Sequence, residues 1–345
     1  MKITEVEAVY PRYRQVAPSW RTHFWQIAVR LRSDTGHEGW GYGGGGVAAV
    51  EVVNRHMREL LLGKSVDSAA DIAALWDLLY RQSLPYGRSG VAVMGLSGVD
   101  LALWDLLGKA EGKSVCDLLG GVKRPKVRAY ATGMDLAWYR DLGFDAQKAP
   151  VSQADEAQVV AWAAKARGLF GPDALLMADC YMAWDSATCL RMAEALEGYG
   201  IHWFEDLLLP DDVEGLAALR PKLKPIQLAG GEHDFTHYGF AALARAGALD
   251  IWQPDLTWCG GLTAGLRIAE LAVEHDVPLV PHRGGEVWGL HLLAAGYGED
   301  LGELVMGRRD ADRDVLWLDE PGPVEGCLAV GGAPGFGVRV NEAML

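Results

Sequence analysis

Three acidic residues close short apolar runs at nearly constant spacing. Asp179 ends Ala174-Leu175-Leu176-Met177-Ala178, Glu205 ends Ile201-His202-Trp203-Phe204, and Glu232 follows Gln227-Leu228-Ala229-Gly230-Gly231. The intervals are 205 − 179 = 26 and 232 − 205 = 27. Three anions brought together repel one another and raise their own pKa values. A hard divalent cation removes that conflict, and an oxygen-only set without Cys or His suits Mg²⁺. Any one of these acids reads equally well as the cap of a following helix; three at one interval read as a metal site. Asp255 follows Ile251-Trp252-Gln253-Pro254, and His282 follows Pro278-Leu279-Val280-Pro281, again 282 − 255 = 27 apart. An Asp beside a His favours the imidazolium and fixes its tautomer, which makes a general base that can later act as an acid. Lys148, in Gln147-Lys148-Ala149-Pro150, reads as a second base, a surface residue or an electrostatic stabiliser. The stabiliser role is favoured, because a fixed cation contributes most where negative charge develops.

An interval of 26 or 27 residues is the length of one strand–helix unit, so the acids call for a repeating scaffold. From residue 126 onward, short apolar runs ending in polar residues alternate with helical stretches. This predicts strands at 127–131, 144–148, 175–179, 202–205, 227–230, 251–253 and 279–281, with a weaker one at 303–306. Seven or eight such units predict a TIM-type barrel, whose active sites lie at the C-terminal strand ends. Residues 1–46 read as strands and turns, with an alternating run at 24–31, a turn at Asp34-Thr35-Gly36 and a flexible loop at 43–46. Helices are predicted at 47–62, 69–80 and 91–110. The tail from 319, rich in Gly and Pro, is expected to pack back on the first lobe.

The chain has 345 residues, enough for a barrel and a second lobe. Its net charge of −14 argues against nucleic acid as a partner. It leaves anionic small molecules open, since solvent screens distant charges beyond about 8–10 Å. No apolar run approaches the roughly 18 residues of a membrane span. Glu5 and Glu7 stand where a secretory signal needs apolar residues, so a cytoplasmic protein is expected. The five cysteines (Cys116, Cys180, Cys189, Cys259 and Cys327) have no CxxC pair and read as reduced thiols. The glycines at 43–46 and 260–261 lack the spacing of a phosphate-binding loop.

The stretch Ser97-Gly98-Val99-Asp100-Leu101-Ala102-Leu103-Trp104-Asp105-Leu106-Leu107-Gly108-Lys109-Ala110, with Val115-Cys116-Asp117-Leu118-Leu119-Gly120-Gly121, resembles the mandelate racemase-like branch of the enolase superfamily. The resemblance covers nearly the whole chain. It implies an α/β fold: a (β/α)7β TIM-type barrel at 125–318, and an α+β capping domain formed by residues 1–124 and completed by the tail 319–345. It implies that Asp179, Glu205 and Glu232 are Mg²⁺ ligands and that His282 and Asp255 form a catalytic dyad. Gly231-Glu232-His233, the run from Gln253 to Gly261 and Val280-Pro281-His282 are most similar to the L-rhamnonate dehydratase-like acid sugar dehydratases.

Two departures stand out. The paired lysines of the racemases are reduced to Lys148, because position 146 is Ala, which argues against racemisation. Arg283-Gly284-Gly285-Glu286 stands where small hydroxyl residues are expected, which leaves the substrate open. The implied reaction is Mg²⁺-dependent dehydration of an aldonate, such as L-rhamnonate or L-lyxonate, to a 2-keto-3-deoxy acid. His282 takes the C2 proton and returns it to the departing 3-hydroxyl, while Glu303 hydrogen-bonds the enediolate if protonated. Epimerisation, racemisation or cycloisomerisation on the same site is the alternative, followed by a silent barrel that only binds. Arg12, Arg14, Arg21 and His23, interleaved with Trp20 and Trp25, form either a lid over a polyol or a solvated loop. Arg283 and Glu286 are expected to reach the distal hydroxyls. The resemblance also implies a homo-oligomer.

Overall fold

The computed structural model describes residues 1–14, 19–311 and 313–345. The chain opens with an antiparallel sheet of β1 (Ile3–Val9), β2 (Ile27–Ser33) and β3 (Glu38–Gly43). Next come a helical stretch from Gly46 to Leu61, interrupted by one π turn at Val53–Met57, and helices Ala69–Ser83 and Val91–Glu111. The last of these lies on β3, and glycine makes the approach possible. A Cβ on Gly41 would meet the carbonyl oxygen of Gly98 at 2.1 Å, so any side chain there would push helix and sheet apart. Among the described residues, Val91–Glu111 is the one helix long and apolar enough to cross a membrane. The protein buries 89% of its most apolar window, as it would a core helix.

The second half is a curled parallel sheet. β4 (Val127–Thr132), β5 (Ala146–Pro150), β6 (Leu175–Asp179), β7 (Ile201–Glu205), β8 (Gln227–Gly230) and β9 (Ile251–Trp252) follow one another in space as in sequence, and β10 (Gly302–Val305) returns to lie beside β4. The predicted strand at 279–281 is a single bridge from Leu279 to Trp252. Pro278 and Pro281 flank it, and neither has an N–H to extend a ladder. The inner face is filled by one residue per segment: Tyr130, Ala146, Met177, Trp203, Ala229, Ile251, Val280 and Leu301.

Residues near the C-terminus touch the first lobe. β11 (Trp317–Leu318) pairs with β13 (Arg339–Val340), and the Trp317 ring lies 5.5 Å from that of Tyr42. The buried Asp105 carboxylate accepts the backbone N–H groups of Trp40 and Phe336, joining sheet, helix and tail. One departure is β12 (Cys327–Leu328), which pairs antiparallel with the start of β4 rather than with the first lobe.

Candidate active site

The period-two geometry of a strand explains how the polar residues meet. Successive side chains alternate faces, so a residue two positions past an inner-layer residue points to the same side. Stepping on two from the apolar layer gives Thr132, Lys148, Asp179, Glu205, Gly231, Gln253, His282 and Glu303. A polar layer thus rests on an apolar one, and Asp179 and Glu205 sit directly opposite each other in register. Four of the residues with positive φ outside glycine (Tyr181, Met182, Asp206 and Arg283) follow these strand ends. Such backbone strain is characteristic of functional rims.

Lys148 is fully buried, so the surface reading is excluded. Its ammonium pairs with Glu205, and with Glu303 at 2.8 Å. Burial alone would favour the neutral amine, but the Glu205 and Glu303 anions hold its pKa well above the ordinary value. Burial would likewise raise Glu303, yet the Lys148 and His282 cations and the Arg283 backbone N–H, 2.8 Å away, bring it down to about 2. These partners lower Glu303, the direction opposite to the one a protonated donor needs. Glu205 also accepts from Gln253 Nε2 at 2.7 Å and Trp203 Nε1 at 3.1 Å.

The remaining acids are crowded. Burial and then the Glu205 anion raise Asp179 to about 6. Burial, with Asp179 and Glu205 adding to it and His282 opposing, raises Glu232 to about 7. Asp206 turns in at the end of β7 with φ +49°, and burial followed by Glu232 and Glu205 pushes its carboxyl well up. Its Oδ2 lies 3.5 Å from the buried Nε2 of His233, and neither atom has a hydrogen-bond partner. Among the described residues, Asp206, Glu232 and His233 bring ligand-type atoms within 4.8 Å of one another. Of the predicted triad, Glu232 belongs to that group, whereas Glu205 is turned toward Lys148. This excess of buried carboxylates, with orphaned acceptors and the one internal lysine already spent, fits a divalent cation bound through oxygen. Asp206 was missed in the sequence, where its only signal is the second acid in Phe204-Glu205-Asp206.

His282 and Asp255 meet as predicted, with Nδ1 2.8 Å from Oδ2. Asp255 is an ionised acceptor, because burial, which would raise its pKa, is outweighed by the His282 bond and charge. Nδ1 must then carry the proton. Nε2 points back at Glu232 Oε2, 3.2 Å away. Burial opposes a charge on the ring, but with the acid cluster uncompensated Glu232, Glu303 and Asp255 raise its pKa to about 10, and a divalent cation at those acids would bring it back down toward a base that is free to act.

An aromatic cavity opens beside the dyad, lined by Trp20, Phe24, Trp25, Gln26, Tyr181, His233 and Trp258, with Gly45 and Met94. Arg14, Arg21, His23, Arg283 and Glu286, expected to bind substrate, are not in its lining. Arg14 pairs with Asp314 at 3.2 Å. Arg21 lies over the Trp25 ring at 4.5 Å, and His23 is exposed. Arg283 and Glu286 spend their charges on each other, with Nε 2.8 Å from Oε1, and the guanidinium also covers Tyr42 at 5.5 Å. Neighbours three residues apart at the start of a helical turn meet this way.

Residues 134–344 match the model of the enolase C-terminal domain-like family, and residues 4–120 match the mandelate racemase/muconate lactonizing enzyme N-terminal domain. The L-rhamnonate dehydratase of Saccharopolyspora erythraea is 36% identical over 347 residues, covering 97% of this chain and 88% of that protein. The 3,6-anhydro-D-galactonate cycloisomerase of Zobellia galactanivorans superposes with a TM-score of 0.87 at 33% identity, covering 99% of this chain and 97% of that one. A Mg complex of the rhamnonate dehydratase of Gibberella zeae gives 0.88 at 29% identity, covering 99% and 95%. The chain belongs to the mandelate racemase/muconate lactonizing enzyme family of the enolase superfamily.

Proposed function

We propose that this protein is a Mg²⁺-dependent hydro-lyase that converts an aldonate to its 2-keto-3-deoxy acid. The observation that carries the reading is the His282–Asp255 pair aimed at the cluster of acids, with Nε2 3.2 Å from Glu232. Likeness to rhamnonate dehydratases along nearly the whole chain supports the reaction class. The scaffold in this reading is a (β/α)7β barrel at 125–318, capped by residues 1–124 and the tail 319–345; the eight-residue inner layer supports it.

Asp179, Glu205 and Glu232 would hold the metal, with Asp206 Oδ2 near Glu232. Bound Mg²⁺ supplies Lewis-acid stabilisation of the anion left when the C2 proton departs. His282 takes that proton on Nε2 while Asp255 keeps Nδ1–H in place. The imidazolium then gives the proton to the 3-hydroxyl as it leaves as water, so one residue serves as base and acid. Lys148 keeps a fixed positive charge beside the developing anion, and Glu303 holds both Lys148 and the Arg283 backbone. The polyol lies against Trp258 and Tyr181 in the aromatic cavity. We place the enzyme in the cytoplasm, as a homo-oligomer.

A second reading, cycloisomerisation, is favoured by the likeness to the anhydrogalactonate enzyme together with a cavity that offers rings rather than charged side chains. Purified protein with Mg²⁺ is screened against five- and six-carbon aldonic and aldaric acids and an anhydro-aldonate, with a carbonyl-trapping reagent. One substrate giving a 2-keto product with loss of water, abolished by EDTA, supports dehydration. An isomeric product of unchanged mass establishes the second reading, and no turnover of any acid overturns both.

A further inference from the structure

The catalytic dyad does not end at Asp255. The second oxygen of that carboxylate, Oδ1, accepts the Thr257 hydroxyl and the Thr257 backbone N–H, both at 2.6 Å. Thr257 Oγ1 in turn accepts from Gln26 Nε2 at 2.8 Å, and Gln26 Oε1 accepts from Trp258 Nε1 at 2.8 Å. Gln26, Asp255 and Thr257 are all buried, and so is Trp258. Each direction in this chain is forced. An indole N–H only donates, so the amide oxygen of Gln26 must face Trp258. The ionised Asp255 only accepts, so the Thr257 proton points to it and the hydroxyl takes the Gln26 N–H. A buried network with every member satisfied is rigid, and its worth exceeds that of its separate bonds.

Gln26 stands immediately before β2, in the first lobe, whereas Thr257, Asp255 and His282 belong to the barrel half. Two more contacts cross the same seam. The Gly44 backbone N–H donates to the Thr257 carbonyl at 3.1 Å. Gly44 also leaves room for the Trp258 indole, which a Cβ would meet at 2.7 Å. The far side of Trp258 then lies 5.8 Å from the His282 ring and 6.0 Å from that of His233, making one wall of the cavity.

We infer that Gln26 and Thr257 are positioning residues that couple the seating of the first lobe to the alignment of the His282–Asp255 base. Through this relay the dyad is held at its working angle when the lobe that covers the substrate is in place, and it loosens when the lobe lifts. The inference rests on the role proposed above for His282. Gln26 lines the cavity and can also touch substrate, whereas Thr257 acts only through Asp255.

The test uses the Mg²⁺-loaded full chain with ¹⁵N-labelled histidine. The proton on His282 Nδ1 is assigned by its loss in His282→Asn. In Thr257→Val and Gln26→Leu this resonance is expected to move upfield and broaden. kcat should fall on the order of 10–100-fold, the usual cost of losing a partner that orients a functional histidine. KM should be unchanged in Thr257→Val, and Thr257→Ser, which keeps the hydroxyl, should restore both resonance and kcat. Gly44→Ala, which displaces Trp258, should resemble Gln26→Leu. A Thr257→Val protein with the wild-type resonance and kcat would overturn the relay. If Thr257→Val does not fold, Gln26→Leu decides through the same resonance. If no acid is turned over, the function proposed above fails, while the substrate-free spectra still decide the relay.

Discussion

At the scale of single residues, the site works by crowding like charges and then fixing their few partners. His282 faces the acid cluster through Glu232 and is held from behind by the Asp255 carboxylate. Replacing it with Asn, which keeps a donor toward Asp255, should lower kcat/KM by about 10²–10⁴-fold, the typical worth of a positioned acid–base group. Mg²⁺ affinity, measured by calorimetry, should be retained, and a turnover rate close to wild type would remove His282 from the base role. Arg283 and Glu286 obey a different rule. Their pairing makes each the other's compensation in a mostly buried place, with side chains 11% and 20% exposed. Arg283→Met leaves Glu286 unpaired beside Glu320, whose own pKa burial and Glu286 already raise to about 7. A loss on the order of 3 kcal/mol is expected in urea unfolding. The double variant with Glu286→Met should recover part of it, because a buried pair removed whole costs less than one broken.

At the scale of elements, His291 is a pH-sensitive joint. Its Nδ1 accepts the Cys116 N–H at 3.0 Å, so Nε2–H must donate to the Phe336 carbonyl, 3.2 Å away, and the neutral ring ties helix Val287–Ala294 to the tail. Burial lowers its pKa to about 4 from an ordinary 6.5. The unfolded chain therefore binds the proton more readily, and the stabilising contribution is present above pH 6.5 and lost as pH falls toward 4. That shift corresponds to about 3 kcal/mol. Thermal melts should show stability declining over this window, less steeply in His291→Gln; identical profiles would exclude His291 as the cause. Elements were legible where local pattern and tertiary role coincide. β6 and β7 are short, mainly apolar runs closed by Asp179 and Glu205, and the helix at 91–111 repeats its apolar positions. β11, β12 and β13 were not, since two-residue strands carry no period and exist only through their partners. The strand-end acids were legible because a strand places its last side chain predictably. Gln26 and Thr257 were not: their bond joins positions 231 apart, and nothing in an amide or a hydroxyl marks its distant partner.

At the scale of the whole molecule, a metal held by the acid cluster as proposed would make stability depend on it. A cation that binds the folded site and not the unfolded chain stabilises by about 2.7 kcal/mol at a hundred times its Kd. Saturating Mg²⁺ should raise Tm by several degrees, EDTA should reverse the gain, and Glu232→Gln should remove most of it. A Tm indifferent to Mg²⁺ would argue that the carboxylates do not bind the ion. The Asp105 carboxylate has a consequence in time as well as in space. It accepts from Phe336, 231 positions further along the chain. At about 5–20 residues per second, a ribosome takes roughly 10–50 s to cover that distance. Throughout that wait Asp105 lacks its Phe336 donor, and Trp40 and Tyr42 on β3 lack the Trp317 ring that packs against both, so their aromatic face stays open to other newly made chains. Slow or stalled synthesis past Asp105 therefore lengthens the exposure of a sticky intermediate, and the last stretch to be made is the one that ends it.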